Sequence, residues 1–309
     1  MPKKKTSRRP PALHLALPAT SANLGPAFDA AALAMDLYIT VDAQPAPSFS
    51  IAATGRDREI CECLENHLIL STYSEILEAH GAEVTPLSLR IKNDIPIGKG
   101  CGSSAAARLA GIALANHFGG LRWTDAQIIG EASRREHHPD NAAACWMGGL
   151  TIARMSDEGN AHVVSVPPKG KWPLLLAIPD EALSTEEARR VLPAQYSRAD
   201  VVANIQNSML LLAAFTQGRH DLLSIALEDR IHQPYRAALC PLLPCMKQLT
   251  GKPAVLGVAL SGAGPSVIVF IDPRSDAHKT LKFVAAHIAH SGLRAELLPT
   301  SIAPRGARG

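Results

Sequence analysis

The chain has 309 residues, 47% apolar and 19% charged, which is enough for one large or two medium globular domains around a real core. Five of its 31 basic residues (Lys3, Lys4, Lys5, Arg8 and Arg9) crowd the first nine positions, leaving 26 basic against 28 acidic residues elsewhere, so the near-neutral body gives no reason to expect nucleic acid. No run approaches the ~20 apolar residues of a membrane span, no apolar stretch of secretory length follows the basic start, and six scattered cysteines suit reduced thiols in a cytoplasmic protein. Aromatics are only 4%, so the core is expected to consist of Leu, Ile, Val and Ala.

In chain order, alternation predicts a strand at 13–17 that Pro18 ends, and short strands at 38–41 and 48–52. Asn66 is the expected cap of a helix running to 79, where Gly81 stops it. A strand at 87–91 leads into a glycine turn at 94–102 and a helix at 103–118. Thr124 and Gln127 form a capping-box pattern for a helix to 135. Residues 136–141 read as a turn, followed by strands at 150–155 and 162–166, and a linker falls within 157–173. Beyond it come a strand at 174–178, a capping-box start at Ser184 and Glu187, and helices at 200–216 and 221–230. Strands at 255–260 and 266–271 flank a glycine loop, and a helix at 275–291 capped by Ser275 precedes a strand at 294–298.

The strongest chemical signal is Pro96-Ile-Gly-Lys-Gly-Cys-Gly-Ser-Ser-Ala-Ala-Ala107. Glycines let the backbone approach a ligand closely, and the loop ends at a helix start, where free N–H groups and the positive dipole end favour anions. The candidate phosphate contacts are Pro96, Gly98, Lys99, Gly100, Gly102, Ser103, Ser104 and Ala105. The loop is no Walker A motif; an ordinary serine-capped glycine turn is the plainer alternative, and Lys99, though it could reach a phosphate, reads first as an exposed lysine.

These residues resemble the second motif of the GHMP kinases, with Cys101 in place of the usual leucine; a small buried hydrophobe is expected there rather than a catalytic thiol. Pro18-Ala-Thr-Ser-Ala-Asn-Leu-Gly-Pro-Ala-Phe-Asp29 is similar to the first motif of the homoserine kinase branch, with Ala27 for glycine. Leu260-Ser-Gly-Ala-Gly-Pro-Ser-Val267 resembles the third, which in the family packs on the phosphate loop and brings Gly262 and Gly264 to the nucleotide. Glu136-His-His-Pro-Asp-Asn141, Thr185–Pro193 and Asp229–Arg236 resemble further segments of that branch, with His137 for glycine.

The resemblance covers residues 12–308 and implies a two-domain α+β fold. A disordered basic tail (1–11) would precede an ATP-binding domain like domain 2 of ribosomal protein S5 (12–165) and a ferredoxin-like domain (166–309). It implies ATP-dependent phosphorylation of the homoserine hydroxyl by a homodimer, without nucleic acid or membrane. Asn23, Asp29, His138 and Asp140 would hold the amino acid, and Arg189 and Arg236 its carboxylate. Mg²⁺ would sit on Ser104 and Glu136, with Ser103 and Glu131 in reserve. Catalysis would draw on Asp140, Asn141, Ser104 and Glu136 without a strong general base, because Asn141 cannot take a proton and Asp140 binds substrate. The pair His137-His138 lacks a third ligand at a sensible spacing, so no metal is expected there. A kinase for another small alcohol and a non-catalytic nucleotide-binding relative are the alternatives. Seen singly, each arginine reads first as a surface ion-pair residue, and a plain helix-surface acid is the alternative for each glutamate.

Overall fold

The computed structural model describes residues 11–157 and 159–307, so the expected basic tail lies outside the described residues apart from residue 11. In order, the elements are β1 (Leu13–Ala22), β2 (Ala31–Pro45), β3 (Ser50–Gly55), α1 (Arg58–Glu62), α2 (Leu68–Ala79), β4 (Leu87–Asn93), α3 (Ser103–Phe118), α4 (Asp125–Glu136), α5 (Asp140–Met147), β5 (Leu150–Met155) and β6 (Ala161–Val166). There follow β7 (Pro173–Ile178), α6 (Thr185–Arg190), α7 (Arg198–Gln217), a 3₁₀ turn at His220–Leu222, α8 (Leu223–Ala226), α9 (Gln233–Arg236), α10 (Leu242–Lys247), β8 (Val255–Leu260), β9 (Val267–Ile271), α11 (Ala277–His290) and β10 (Glu296–Ser301).

The first sheet runs β3-β4-β2-β5-β6, with β1 paired to β2. Pro18 does not end β1. The strand continues to Ala22, and the register against β2 shifts between Pro18 and Ala19, where a residue without an N–H is tolerated. The expected strand at 38–41 is the middle of the 15-residue β2, which pairs with β1, β4 and β5. Its Ala-rich first half has helical propensity, which pairing to neighbours overrides. Helices α2, α3 and α5 pack on this sheet through Tyr73, Leu77, Leu109, Leu114 and Cys145, all fully buried.

The second sheet is antiparallel, in the order β10-β7-β9-β8. Its strands alternate between two cores. Leu174, Leu176, Ile268 and Phe270 join the main core with Leu211 and Phe215 of α7, whereas Leu175, Ala177, Val267 and Val269 meet Leu242, Met246, Val284 and Ile288 of α10 and α11. After β10 the chain returns to the first sheet. Ile302 bridges to Met35, Ala303 exchanges backbone bonds with Ala34 and Gly149, and the Ala307 N–H donates to the Cys145 carbonyl.

Several local expectations are corrected. Asn66 is not a cap: it is left-handed (φ 54°), and α2 begins at Leu68 behind His67. The turn at 136–141 is shorter than expected, because Asp140 opens α5. The helix expected at 221–230 breaks after Ala226, where Asp229 folds back on its own backbone. Asp276, not Ser275, caps α11, accepting the N–H groups of His278 and Lys279. The last strand begins two residues later than expected, at Glu296, and runs on to Ser301. Both capping boxes, Thr124/Gln127 and Ser184/Glu187, form as expected. No helix among the described residues is long and apolar enough to cross a membrane.

Helices α2 and α3 touch through Gly111, where an added Cβ would lie 2.5 Å from the Ile69 carbonyl oxygen and 2.7 Å from Cβ of Thr72. Gly111→Ala improves helix propensity by up to about 1 kcal/mol, but the forced separation costs about 1–3 kcal/mol. A net loss of stability is therefore expected in urea denaturation; a gain would mean that the helices part freely.

Candidate active site

The phosphate loop hands its backbone to α3 through Gly102, whose φ is 71° and whose side makes no cap. No acidic residue stands in the first turn of α3 and no side chain caps it, so the N–H groups of Ser103, Ser104 and Ala105 open on the cavity without an acidic group of their own helix turn. Glycine is required by crowding. A Cβ on Gly100 would lie 2.3 Å from the Ser261 carbonyl oxygen, and one on Gly102 would lie 1.9 Å from Oγ1 of Thr20.

Three distant loops are laced together here. Ser261 Oγ donates to the Gly100 carbonyl at 2.8 Å, and the Ser266 N–H to the Lys99 carbonyl at 3.3 Å. Asn23 Nδ2 donates to the Gly262 carbonyl at 2.9 Å, and Asn23 Oδ1 accepts the Asp29 N–H at 2.9 Å. Asn23 therefore faces the cavity with its amide already spanning two loops. Cys101 is fully buried, and burial pushes its thiol up to about 12, so it packs as a small hydrophobe and supplies no thiolate.

All the residues proposed from the sequence line one cavity of about 110 Å³, except Pro96, Lys99 and Glu131. Lys99 Nζ instead donates to the Asp180 carbonyl. Glu131 is turned to Arg134 and Arg135, whereas Glu136 Oε1 accepts Ser104 Oγ at 2.7 Å and Arg108 Nε at 2.6 Å. Of the two glutamates, only Glu136 reaches the phosphate loop.

The opposite wall is charged. Arg189 Nη2 donates to Asp29 Oδ1 at 2.7 Å, and Arg236 lines the cavity from a position only 1% exposed. Burial, then the nearby Arg189 charge, lower the Arg236 guanidinium to about 10, still protonated at neutral pH. At the start of α5, Asp140 Oδ1 accepts His138 Nδ1 and the Asn141 N–H, each at 2.6 Å. Asp29, His138 and Asp140 bring ligand atoms within 4.8 Å of one another, so the fold supplies from Asp29 the third partner that spacing did not offer His138. His137 takes no part in that cluster; it ends α4 with φ 66°. Ala27 is not among the left-handed residues, so of the two glycine replacements only His137 carries backbone strain.

Sequence reasoning missed three features. Thr20 Oγ1 donates to Asn141 Oδ1 at 2.6 Å, although Thr20 stands within the first motif. Arg108 holds Glu136 from one α3 turn beyond Ser104. A second cavity of about 710 Å³ opens from the loop at Gly98, Ser103 and Ser104 and runs between Ile60, Cys63, Leu68 and Ile97. Its size suits a small-molecule site, and its apolar, dispersed lining left no motif to read.

The sequence matches two family models, GHMP kinases N terminal domain over residues 67–149 and GHMP kinases C terminal over residues 211–290. It is 40% identical to a homoserine kinase of Solibacter usitatus, over 95% of each chain, and 37% identical to one of Desulfitobacterium hafniense, over 94% of this chain and 97% of the relative. The crystal structure of homoserine kinase from Cytophaga hutchinsonii is similar over 98% of both chains, with a TM-score of 0.80 at 23% identity. At 12% identity the L. major mevalonate kinase in complex with R-mevalonate has a TM-score of 0.71 over 97% of this chain and 99% of its own, a likeness of fold alone.

Burial pulls the His138 proton affinity down, but the hydrogen bond and charge of Asp140 outweigh it and hold the imidazole above its ordinary value. The pair therefore stabilises the fold below about pH 6.5, and the contribution is lost as pH rises through the His138 titration. By NMR, His138 should titrate above its ordinary value in the wild type and lower in Asp140→Asn, where burial and the Arg189 charge are opposed only by Asp29; an unmoved titration would deny the coupling. His137→Gly should raise stability by roughly 1 kcal/mol in chemical denaturation, the strain of a left-handed non-glycine residue.

Proposed function

This chain belongs to the GHMP kinases, and within them to the homoserine kinases, and from that premise we propose that it moves the γ-phosphate of ATP onto the side-chain hydroxyl of L-homoserine. The product, O-phospho-L-homoserine, sets the reaction in threonine biosynthesis. The observation that carries the reading is one cavity with an uncapped helix N-terminus on one wall and two guanidinium groups on the other. A polyphosphate suits the first wall and an amino-acid carboxylate the second.

In this reading the N–H groups of Ser103, Ser104 and Ala105 hold the phosphates, and the adenine ring occupies the cavity beside Ile60, Cys63 and Leu68. Arg189 and Arg236 hold the α-carboxylate, while Asp29 and Asp140 face the ammonium. A neutral alcohol would leave the buried Arg236 guanidinium, which unlike Arg189 has no carboxylate bound to it, without an anion, and this disfavours a neutral substrate. Ser104 and Glu136 present two hard oxygens 2.7 Å apart beside the phosphate loop, a fit for Mg²⁺, which would neutralise phosphate charge when bound. Lys99, bound to a carbonyl, and Glu131, bound to two arginines, have no role in this scheme.

Phosphoryl transfer of this kind asks for positioning and charge stabilisation more than for a base. Asp140 Oδ1 is committed to His138 and Asn141, leaving only Oδ2 for the substrate, and Thr20 fixes the Asn141 amide. The hydroxyl is aimed by this network, and its proton leaves late, toward the transferred phosphoryl oxygens or solvent. A cytoplasmic setting accords with the six free cysteines. A homodimer accords with α7, where Val201, Val202, Ile205 and Met209 are exposed and no charge stands between Asp200 and Arg219.

Release of ADP with Mg-ATP is expected on L-homoserine and not on L-serine, L-threonine, mevalonate or galactose; turnover of another alcohol alone would overturn the substrate assignment. Arg189→Ala should raise KM for homoserine by roughly 10- to 100-fold, the worth of about 1.5–3 kcal/mol for a charge-assisted bond, with little change in KM for ATP. Glu136→Gln should lower kcat and move the Mg²⁺ dependence to higher concentration; an unchanged Mg²⁺ profile would remove Glu136 from the metal site.

A further inference from the structure

Of the segment Asp229–Arg236, Arg236 alone lines the cavity. Asp229 folds this segment. Its two carboxylate oxygens accept the N–H groups of Ile231, His232 and Gln233 at 2.8, 3.0 and 2.6 Å. That turn starts α9 and sets His232 and Arg236 one helical turn apart, on the same side.

His232 has no exposed surface. Its Nε2 lies 2.7 Å from the Gly25 carbonyl oxygen, and its Nδ1 lies 3.1 Å from Arg236 Nη1. A carbonyl only accepts and a guanidinium only donates, so both bonds are made in a single form of the ring: neutral, with the hydrogen on Nε2. Burial, only partly offset by Asp229 and reinforced by the Arg236 charge, depresses its proton affinity to about 4, consistent with that form at neutral pH.

The donors of Arg236 are then divided. Nε donates to the Ala188 carbonyl at 2.9 Å, and Nη1 to His232 and, at 3.4 Å, to the Gly262 carbonyl. Among the described residues no acceptor meets Nη2. The Phe28 ring closes the arrangement, stacked on His232 at 5.2 Å between centroids and covered by the guanidinium carbons of Arg236 at 5.3 Å and Arg189 at 5.4 Å.

Resting on the homoserine reading, we infer that His232 is a positioning residue that fixes which hydrogens Arg236 offers to the substrate carboxylate. With Nε and Nη1 held by the protein, Arg236 presents Nη2 alone and meets one carboxylate oxygen. Arg189, tied at one nitrogen to Asp29, is left to reach the other. The two arginines thus share one carboxylate between them in place of a single two-pronged grip.

The test separates the two ends of the ring. His232→Asn keeps an acceptor near Nδ1, and His232→Gln keeps a donor near Nε2. His232→Gln is expected to raise KM for L-homoserine about 10-fold, the loss of one hydrogen bond to a charged group, with KM for ATP unchanged. His232→Asn is expected to stay within about 3-fold of wild type, on the same basis that its acceptor keeps the Arg236 bond. Equal KM effects in the two variants, or equal changes for both substrates, would overturn the inference in favour of a purely structural histidine. A second measurement needs no variant: ¹⁵N-histidine NMR of the wild-type protein should find His232 as the Nε2–H tautomer, with an Nδ1 signal that moves on adding homoserine and not on adding ATP alone. An Nδ1–H or doubly protonated ring would sink the proposal. Wild-type enzyme that does not phosphorylate homoserine would overturn the substrate reading and this inference with it, whereas turnover with unsplit KM values would overturn the inference alone.

Discussion

The backbone crossing at Gly100 and Gly262 constrains the rest of the molecule. There the phosphate loop, carried by the first sheet, and the β8–β9 loop, carried by the second, approach too closely for any side chain. Ser261 and Asn23 complete the joint, each satisfying a carbonyl that the close approach would otherwise leave without a partner. Because the joint ties the backbone of one loop to the backbone of the other, it fixes the position of one wall relative to the other. The uncapped start of α3 belongs to one wall and Arg236 to the other. Their separation is set by the loops and not by their own attraction for a ligand.

Charge is distributed around that joint so that the protein keeps few uncompensated groups. Asp29 balances Arg189, Asp140 balances His138, and Arg108 balances Glu136. Arg236 is the exception: two of its three nitrogens meet neutral acceptors, and its proton affinity falls accordingly. A buried guanidinium without its own carboxylate is costly by itself, and an anionic substrate group is the natural complement.

Much of this was legible in the sequence, and the reasons differ by segment. Capping boxes announced α4 and α6 because both partners are local and reciprocal. The phosphate loop was legible because crowding demands glycine at spaced positions. Pro18 misled, since a proline inside a strand looks like an end until the register shift that accommodates it is known. The segment 136–141 misled in the opposite sense: Pro139 reads as a breaker, yet it precedes α5, and Asp140 is the first helical residue. The apolar cavity beside Ile60 and Leu68 was invisible because nothing in an isolated Ile, Cys or Leu distinguishes a ligand wall from a core. The division of labour at Arg236 was also invisible, for it depends on Gly25, Ala188 and Gly262, three backbone carbonyls far apart in the chain.

The return of residues 302–307 to the first sheet ties the order of synthesis to the order of assembly. The first sheet and its helices leave the ribosome early and can collapse on their own apolar faces. Yet the Gly149 and Cys145 backbone groups beside α5 find their partners only after the whole second sheet has been made. The helix that begins with Asp140 therefore rests on a scaffold closed by residues that follow the second sheet in the chain, and a nascent chain holds its phosphate loop before it holds a finished substrate wall.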